Sequence, residues 1–341
     1  MRRRVVLRDE LITLAHGAGG KATRDIVEAL FLEELGNDAL AVLGDAAVIP
    51  GAGRLALSTD AYVVHPLEFP GGDIGELAVN GTVNDLAMVG ATPLWLTAGF
   101  VIEEGLPVAD LRRIVTSMGA AARRAGVSIV AGDTKVVERG KADGLYVTTA
   151  GLGTLADGVD LGPHRVQPSD RVLLSGTLAD HGMAVMVARG DLRLEAEITS
   201  DTNAVHELAA ALVSLGTSLR WMRDPTRGGL ATALNELTDA SALAVVLDEG
   251  ALPVRPAVGA ACEILGIDPL YVANEGKLIA VVAAEAAEEA LAALRTHPLG
   301  VDAVLVGEIR AEPAGLVLLD TALGGTRIVD MLVGDPLPRI C

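Results

Sequence analysis

Apolar residues recur at helical spacing in three stretches of the first half of the chain. Ile74, Leu77, Ala78 and Leu86 show this spacing, which predicts a helix over residues 73–89. The same pattern predicts two more helices, over residues 21–34 and 107–124. Four shorter apolar runs predict strands, at residues 55–59, 94–102, 127–131 and 145–152.

Residues 157–170 are rich in Gly, Pro and Asp and form the best domain boundary. Beyond them, strands are predicted at 171–175, 243–248, 278–283 and 302–307. Helices are predicted between the strands, near 180–189, 203–215, 228–240, 256–265 and 285–295. Both halves therefore fit an α/β or α+β class with helices layered on each sheet. We expect a first domain over residues 1–156, a second over 157–333 and a mobile tail over 334–341.

The charge balance narrows the classes of partner. Of 341 residues, 27 are Lys or Arg and 45 are Asp or Glu, which gives a net charge of −18. This excess of acids argues against a nucleic-acid or anionic-membrane partner, because phosphate groups attract Lys and Arg. No apolar run approaches the length of a membrane helix, and the basic start lacks the apolar stretch of a secretory signal. We expect a cytoplasmic protein that binds neither nucleic acid nor membranes.

Four acidic residues in the first half stand at the ends of apolar runs or on a helix of small residues. They are Asp45, Asp60, Asp85 and Asp133. Carboxylates at strand ends can converge on Mg²⁺, which prefers oxygen ligands and often shares them with phosphates. Each residue alone is more typical of a turn or a helix cap, but four in one domain indicate a metal–nucleotide site.

Two further segments could contact an anionic ligand. Gly17, Gly19 and Gly20 precede a predicted helix, where backbone amides can approach a phosphate, although by themselves they are more typical of a plain flexible turn. Asn80 and Asn84 are four residues apart and share one helix face beside Asp85. A kink at the intervening glycine and a polar stripe facing a polyphosphate both remain open.

Charged residues also cluster in three short motifs. Lys135 follows Asp133 closely and could hold a phosphate or act as a base. The segment with Arg223, Asp224 and Arg227 leads through a glycine pair into a helix, as an anion cradle or a capped structural loop would. Glu275 stands beside a glycine before a strand and could approach a ligand, although in isolation it marks only a turn.

The chain ends in an unusual way. Two prolines at alternate positions favour a stiff, extended arm, and the last residue, Cys341, carries a thiol. Disorder is the ordinary expectation for a terminus, but a thiolate there could carry a covalent acyl group. The second cysteine, Cys262, falls on the apolar face of a predicted helix and is expected to be structural.

Together these motifs resemble the aminoimidazole ribonucleotide synthetase superfamily and, within it, the HypE family of carbamoyl dehydratases in NiFe-hydrogenase maturation. The segments that carry the resemblance are residues 16–20, 44–47, 58–60, 78–88, 132–135, 223–229, 274–277 and 338–341. The acidic and Asn motifs are typical of the superfamily, whereas the Cys-terminated tail is specific to HypE. The resemblance implies an α/β N-terminal domain whose sheet pairs with that of a second subunit in a homodimer. It also implies an α+β C-terminal domain, with ATP and Mg²⁺ bound between the two domains.

The resemblance also implies a reaction and its partners. The HypF carbamoyltransferase would load a carbamoyl group on Cys341, and ATP would drive its dehydration to a thiocyanate. The cyanide would then pass to iron on the HypC–HypD complex. Lys135 and Glu275 would handle protons on the carboxamide, while the acids would hold Mg²⁺. A selenophosphate synthetase, an aminoimidazole ribonucleotide synthetase and a non-catalytic nucleotide-binding scaffold are the alternatives.

Overall fold

The computed structural model describes residues 20–26, 28–29, 43, 47–51, 53–190, 197–331, 334 and 339–341. Within these ranges, none of the helices combines the length and the apolar composition that crossing a membrane requires. The helix predicted over 21–34 lies only partly in them, as the helix Lys21–Ile26. Gly17, Gly19 and Asp45 fall outside them, so their predicted roles stay predictions.

The first half forms a five-stranded sheet in the order β1–β2–β7–β5–β6. Its strands are β1 Ala47–Gly51, β2 Gly53–Tyr62, β5 Thr92–Glu103, β6 Ser128–Val137 and β7 Leu145–Leu155. Between β2 and β5 lies a ribbon of two short strands, β3 Glu68–Phe69 and β4 Gly72–Asp73. Only the β5–β6 pair is parallel, because the helix Val108–Arg124 connects those two strands.

The helix Ile74–Met88 packs on this sheet and is buried over almost its whole length. Asp73 caps it, since its side chain accepts hydrogen bonds from the backbone N–H groups of Gly75 (2.8 Å) and Glu76 (3.0 Å). Small residues let neighbouring groups approach: a Cβ on Gly81 would lie 2.2 Å from the Tyr62 hydroxyl. Gly81 therefore lets the helix pack directly against Tyr62 at the end of β2.

The second half forms a seven-stranded, mostly antiparallel sheet in the order β14–β13–β10–β12–β8–β11–β9. Its strands are β8 Arg171–Leu174, β9 Leu219–Arg223, β10 Ala244–Asp248, β11 Ile279–Val282, β12 Val304–Arg310, β13 Val317–Asp320 and β14 Thr326–Ile328. Its α-helices are Asp180–Ala188, His206–Val213, Gly229–Ser241, Pro256–Leu265 and Ala287–Arg295. The predicted combination of fold classes is confirmed.

One hydrophobic core cluster runs through both halves. It includes Val79 and Val83 from the helix on the first sheet, Leu178 and Val272 from the second half, and Ile340 from the tail. The two halves thus pack on each other along a dry contact, and the segment ends of both sheets meet beside it.

Candidate functional site

Charged groups from four separate segments act on one another where the two halves meet. Asp60 lies near the end of β2, Asp224 directly follows β9, Glu275 precedes β11, and Arg227 lies before the helix Gly229–Ser241. Asp224, Asp60 and Arg227 all affect the pKa of Glu275. Asp60 also affects the pKa of Asp224, and Asp60 and Glu275 affect the pKa of Arg227. We refer to these four residues as the acidic cluster.

Glu275 is the most perturbed acid of the acidic cluster. Its side chain is buried, with 3% of the residue exposed, and burial raises its pKa well above the ordinary value. The negative charges of Asp224, Asp60 and Asp201 raise the pKa further, and Arg227 opposes them. The surroundings of Glu275 therefore favour its protonated form over its ionised form, and a change in the charge around it would alter that balance.

Asp224 shares this environment. Burial raises its pKa to about 6, against the opposing effect of Arg223, and Asp60 raises it further. The Arg223 side chain itself forms an ion pair with Glu236. Two acids in one buried cluster thus have pKa values displaced toward neutrality, which is the arrangement that acid–base chemistry requires.

The loop that presents Glu275 is held by a buried carboxylate that the sequence did not single out. Asp201 accepts hydrogen bonds from the backbone N–H groups of Glu275 (3.2 Å) and Gly276 (3.3 Å) and from Lys277 Nζ (3.1 Å). Burial opposes its ionisation, but Lys277 and His181 outweigh that effect and lower the pKa of Asp201. Residue 276 must be glycine, because a Cβ there would lie 1.8 Å from the Asp201 carbonyl oxygen.

Asn274 ties the same loop to the segment after β9. Its side chain donates to the carbonyl oxygens of Pro225 and Val272, both at 3.0 Å, and accepts from the backbone N–H of Ala179 at 2.8 Å. These three hydrogen bonds all go to backbone groups, so they hold the loop of Glu275 against the segment that follows Asp224.

Asn80 and Asn84 lie buried where the helix Ile74–Met88 meets the second half. Asn84 donates to the carbonyl oxygens of Asn203 (3.0 Å) and Glu275 (3.3 Å) and accepts from the backbone N–H of Val205 (2.7 Å). Asn80 donates to Thr202 Oγ1 at 3.2 Å. This geometry favours a role in joining the two halves; a role in binding nucleotide stays a prediction for both.

Asp85 lies beside Asn84 and faces β2. Ser58 Oγ donates a hydrogen bond to Asp85 Oδ2 at 2.5 Å. Tyr62 lies buried on the same strand, and its pKa is raised by burial and then by Asp60, Asp85 and Glu275. Asp60 shares one face of β2 with Ser58 and Tyr62, because alternate residues of a strand point the same way, so it lies on the face that Asp85 contacts.

This donor set fits a hydrated Mg²⁺. The part of the chain that the structure describes contains no group of three or more potential ligands. Mg²⁺ commonly keeps several waters and binds through one or two carboxylates together with substrate phosphates, so the pair Asp60 and Asp85 is sufficient.

Asp133 and Lys135 lie elsewhere on the first sheet. Both are exposed on the edge strand β6 and form an ion pair with each other, at 2.7 Å. Strand pairing aligns Asp60 with Thr149, Ala98 and Gly132. Three inter-strand spacings, about 14 Å, therefore separate the backbones near Asp60 and Asp133. Within the described residues of one chain, Asp133 thus lies three strands away from Asp60, and its role as a metal ligand stays a prediction, as does that of Asp45.

Two of the predicted anion-binding groups lie at helix entrances. Gly20 is buried, and its carbonyl accepts the first hydrogen bond of the helix Lys21–Ile26, from the backbone N–H of Arg24 at 3.1 Å. Gly228 and Gly229 adopt φ values of 76° and 62°. A Cβ on Gly229 would lie 2.5 Å from the Leu270 carbonyl oxygen, so the turn that presents Arg227 requires glycine.

The last residue of the chain lies at the acidic cluster. The pKa of Arg227 is raised first by Cys341 and then by Asp60 and Glu275, against the effect of burial. A cation beside the sulfur stabilises negative charge on it. Cys341 is half-buried and packs against the main hydrophobic core, whereas Cys262 is fully buried in the helix Pro256–Leu265, where burial raises its pKa to about 11. Cys341 and Glu275 therefore both act on Arg227.

Sequence comparison matches both halves of the chain to known domains. Residues 43–155 match the AIR synthase related protein, N-terminal domain, and residues 167–319 match the AIR synthase related protein, C-terminal domain. Over 341 residues the chain is 55% identical to a carbamoyl dehydratase HypE of Bradyrhizobium diazoefficiens, with 99% of each chain covered.

Solved structures agree with this match. A crystal structure of a HypE–HypF complex superimposes with a TM-score of 0.86 at 46% identity, covering 90% of this chain and 99% of the other. A structure of hydrogenase maturation protein HypE in complex with ATP superimposes with a TM-score of 0.82 at 46% identity, covering 96% and 99%. The chain therefore belongs to the HypE family, the carbamoyl dehydratases of hydrogenase maturation.

Proposed function

We propose that this protein uses ATP to dehydrate a carbamoyl group carried on the sulfur of Cys341. The carboxamide oxygen takes the γ-phosphoryl group of ATP, and ADP leaves. Two protons leave the nitrogen, the carbon–oxygen bond breaks with phosphate as the leaving group, and a thiocyanate remains on the sulfur. The amide oxygen thus ends in phosphate, which is a far better leaving group than hydroxide.

The observation that carries this proposal is the position of Cys341 beside Arg227 at the acidic cluster. Cys341 acts on Arg227, which in turn acts on Glu275, one of two acids of the cluster whose pKa values are raised. A carbamoyl group on that sulfur would extend into this charged environment. Such an environment suits a reaction that adds phosphate to an amide and removes two protons from it.

Individual residues have distinct proposed roles. Glu275 accepts a proton from the carboxamide nitrogen once the charge at the site allows it to ionise, and Lys135 is the second candidate for proton handling. Arg227 stabilises charge on the sulfur and on the phosphorylated oxygen. Asp60 and Asp85 hold Mg²⁺, with Asp45 and Asp133 as further predicted ligands. When bound, Mg²⁺ neutralises the charge of the phosphates.

The partners follow from the same chemistry. A relative of this chain has been crystallised with HypF, and we propose that HypF supplies the carbamoyl group here too. We propose the HypC–HypD complex as the acceptor of the cyanide. Both steps require Cys341 to be reached from outside the acidic cluster.

We also propose a homodimer that covers the open face of the first sheet. Leu57, Leu152 and Trp95 are in register across three strands, and Leu57 and Trp95 are each 46% exposed. Val130, on the neighbouring strand β6, is also exposed. Light scattering should give twice the 35.0 kDa of the chain; a value near 35.0 kDa at all workable concentrations would contradict this assembly.

Mass spectrometry of the C-terminal peptide tests the proposed reaction. After incubation with HypF, carbamoyl phosphate and ATP, the wild-type peptide should carry a cyano group on Cys341. Cys341→Ala should bind ATP and form no adduct. Cys262→Ala is the matched control and should behave as wild type, because Cys262 lies buried in its helix. A nitrile on Cys262, or one that forms in Cys341→Ala, would exclude the proposal.

A further inference from the structure

Each of the last three residues of the chain is held by its main-chain carbonyl. The Arg339 carbonyl accepts hydrogen bonds from the His65 backbone N–H (3.2 Å) and from Arg189 Nη2 (2.7 Å). The Ile340 carbonyl accepts from His181 Nε2 (2.6 Å), and the Cys341 carbonyl accepts from the Val63 backbone N–H (3.3 Å). The tail is therefore bound along its backbone, independently of the chemistry of its thiol.

His181 is the buried member of this set. It is fully enclosed beneath the tail, with Phe69 edge-on at a centroid distance of 5.3 Å. A carbonyl can only accept, so Nε2 carries the hydrogen, and Nδ1 accepts from Ser200 Oγ at 2.8 Å. Ser200 Oγ in turn accepts from the backbone N–H of Thr202 at 3.1 Å, which is consistent with its hydroxyl hydrogen pointing at His181. This chain of hydrogen bonds orients the ring toward the tail.

Two charged side chains complete the contact from opposite halves of the molecule. Arg189, after the helix Asp180–Ala188, donates to the carbonyls of both His65 (2.8 Å) and Arg339 and so joins the tail to the extension of β2. Asp143, before β7, forms an ion pair with the Arg339 side chain. The Arg339 side chain also donates to the Val63 carbonyl at 3.4 Å.

We propose that His181, Arg189 and Asp143 form a tail latch, a set of positioning residues that selects the docked tail and aims Cys341 at the acidic cluster. This inference rests on the proposed function for its catalytic consequence. The latch acts in opposite directions on the two steps that use the thiol: holding the tail favours dehydration at the site, and releasing it favours loading by a partner. None of the three residues acts on the reacting atoms.

The test measures thiol protection and dehydration in the same variants. Iodoacetamide alkylation of Cys341, followed by intact mass, is carried out in a Cys262→Ala background. One buried hydrogen bond shifts an equilibrium by about three- to tenfold, so His181→Leu, Arg189→Ala and Asp143→Ala should each raise the alkylation rate by about that factor. The same variants, loaded with a carbamoyl group, should dehydrate it more slowly by a similar factor.

Two further variants separate positioning from general destabilisation. His181→Gln keeps a donor for the Ile340 carbonyl and should restore both rates to within about twofold of wild type. His164→Leu is the matched control, because His164 is exposed and its ring pairs with Asp160, away from the tail. A folded His181→Leu protein whose alkylation rate is unchanged would overturn the latch. If the variants change the alkylation rate of Cys341 as expected but even the wild type does not dehydrate the carbamoyl group, the proposed function is wrong. The latch is then still supported by the alkylation rates.

Discussion

Substitution of Asn84 by alanine separates a structural role from a ligand-binding role at the junction of the two halves. Asn84 is 1% exposed, and its amide makes three hydrogen bonds to backbone groups of the second half. In Asn84→Ala, the Val205 N–H loses the acceptor described for it. The Glu275 carbonyl keeps its other donor, the Asn203 N–H at 3.4 Å.

The size of the expected destabilisation follows from these lost hydrogen bonds. One orphaned N–H and two lost donor contacts should lower the free energy of unfolding by about 2–3 kcal/mol. Asn80→Ala is the matched control, since Asn80 lies on the same helix face and loses a single 3.2 Å hydrogen bond to Thr202, which corresponds to about 1 kcal/mol.

Equilibrium unfolding in urea without nucleotide, followed by circular dichroism, measures both variants. A purely ligand-binding Asn84 would leave the midpoint unchanged in the absence of ATP and weaken only ATP binding. If Asn84→Ala is no less stable than Asn80→Ala under these conditions, the structural assignment of Asn84 is wrong.

Two other substitutions address the acids. Asp85→Ala should abolish ATP turnover with little change in circular dichroism. Ser58→Ala, which removes only the hydroxyl bonded to Asp85, should retain most of the ATP turnover. Unchanged turnover in Asp85→Ala would show that this acid is not part of the site. Burial raises the pKa of Asp224 to about 6. Between about pH 4 and pH 6, the folded protein therefore keeps a proton on Asp224 that the unfolded chain has already released. The wild type therefore loses stability as the pH rises through that window. The side chain introduced by Asp224→Asn cannot ionise, so the stability of the variant relative to wild type should rise from pH 4 to pH 7, as measured by denaturation at both values. If the stability difference between variant and wild type does not depend on pH, the raised pKa of Asp224 is wrong.

Periodicity was sufficient for most of the elements. The helix predicted over residues 73–89 is observed as Ile74–Met88, because a continuous apolar surface and an N-terminal Asp cap specify it locally. The strands β9, β13 and β14 were not predicted. In β9 two arginines interrupt the apolar run, and β14 is three exposed residues at a sheet edge, so neither shows the alternation of a half-buried strand.

The site was predictable only where a local motif marks it. Glu275, Asp224 and Arg227 were identified from short motifs and lie together. Asp201 and His181 were missed, because the contacts that define their roles, with Glu275 and with Ile340, span 74 and 159 positions in sequence and no local pattern records them. Tyr62 could have been found, since it lies two residues after Asp60 on the same strand.

Ile340 links the working position of the thiol to the integrity of the core. The side chain is 4% exposed and belongs to the cluster shared by both halves. Exposing it costs about 2–3 kcal/mol. By itself this cost would limit the undocked tail to roughly 1% of molecules at equilibrium, and the hydrogen bonds of the latch would lower that fraction further. A loading enzyme must therefore either capture this rare form or contribute a pocket for the isoleucine, so affinity for that side chain, rather than for the thiol, would set how fast the chain is charged.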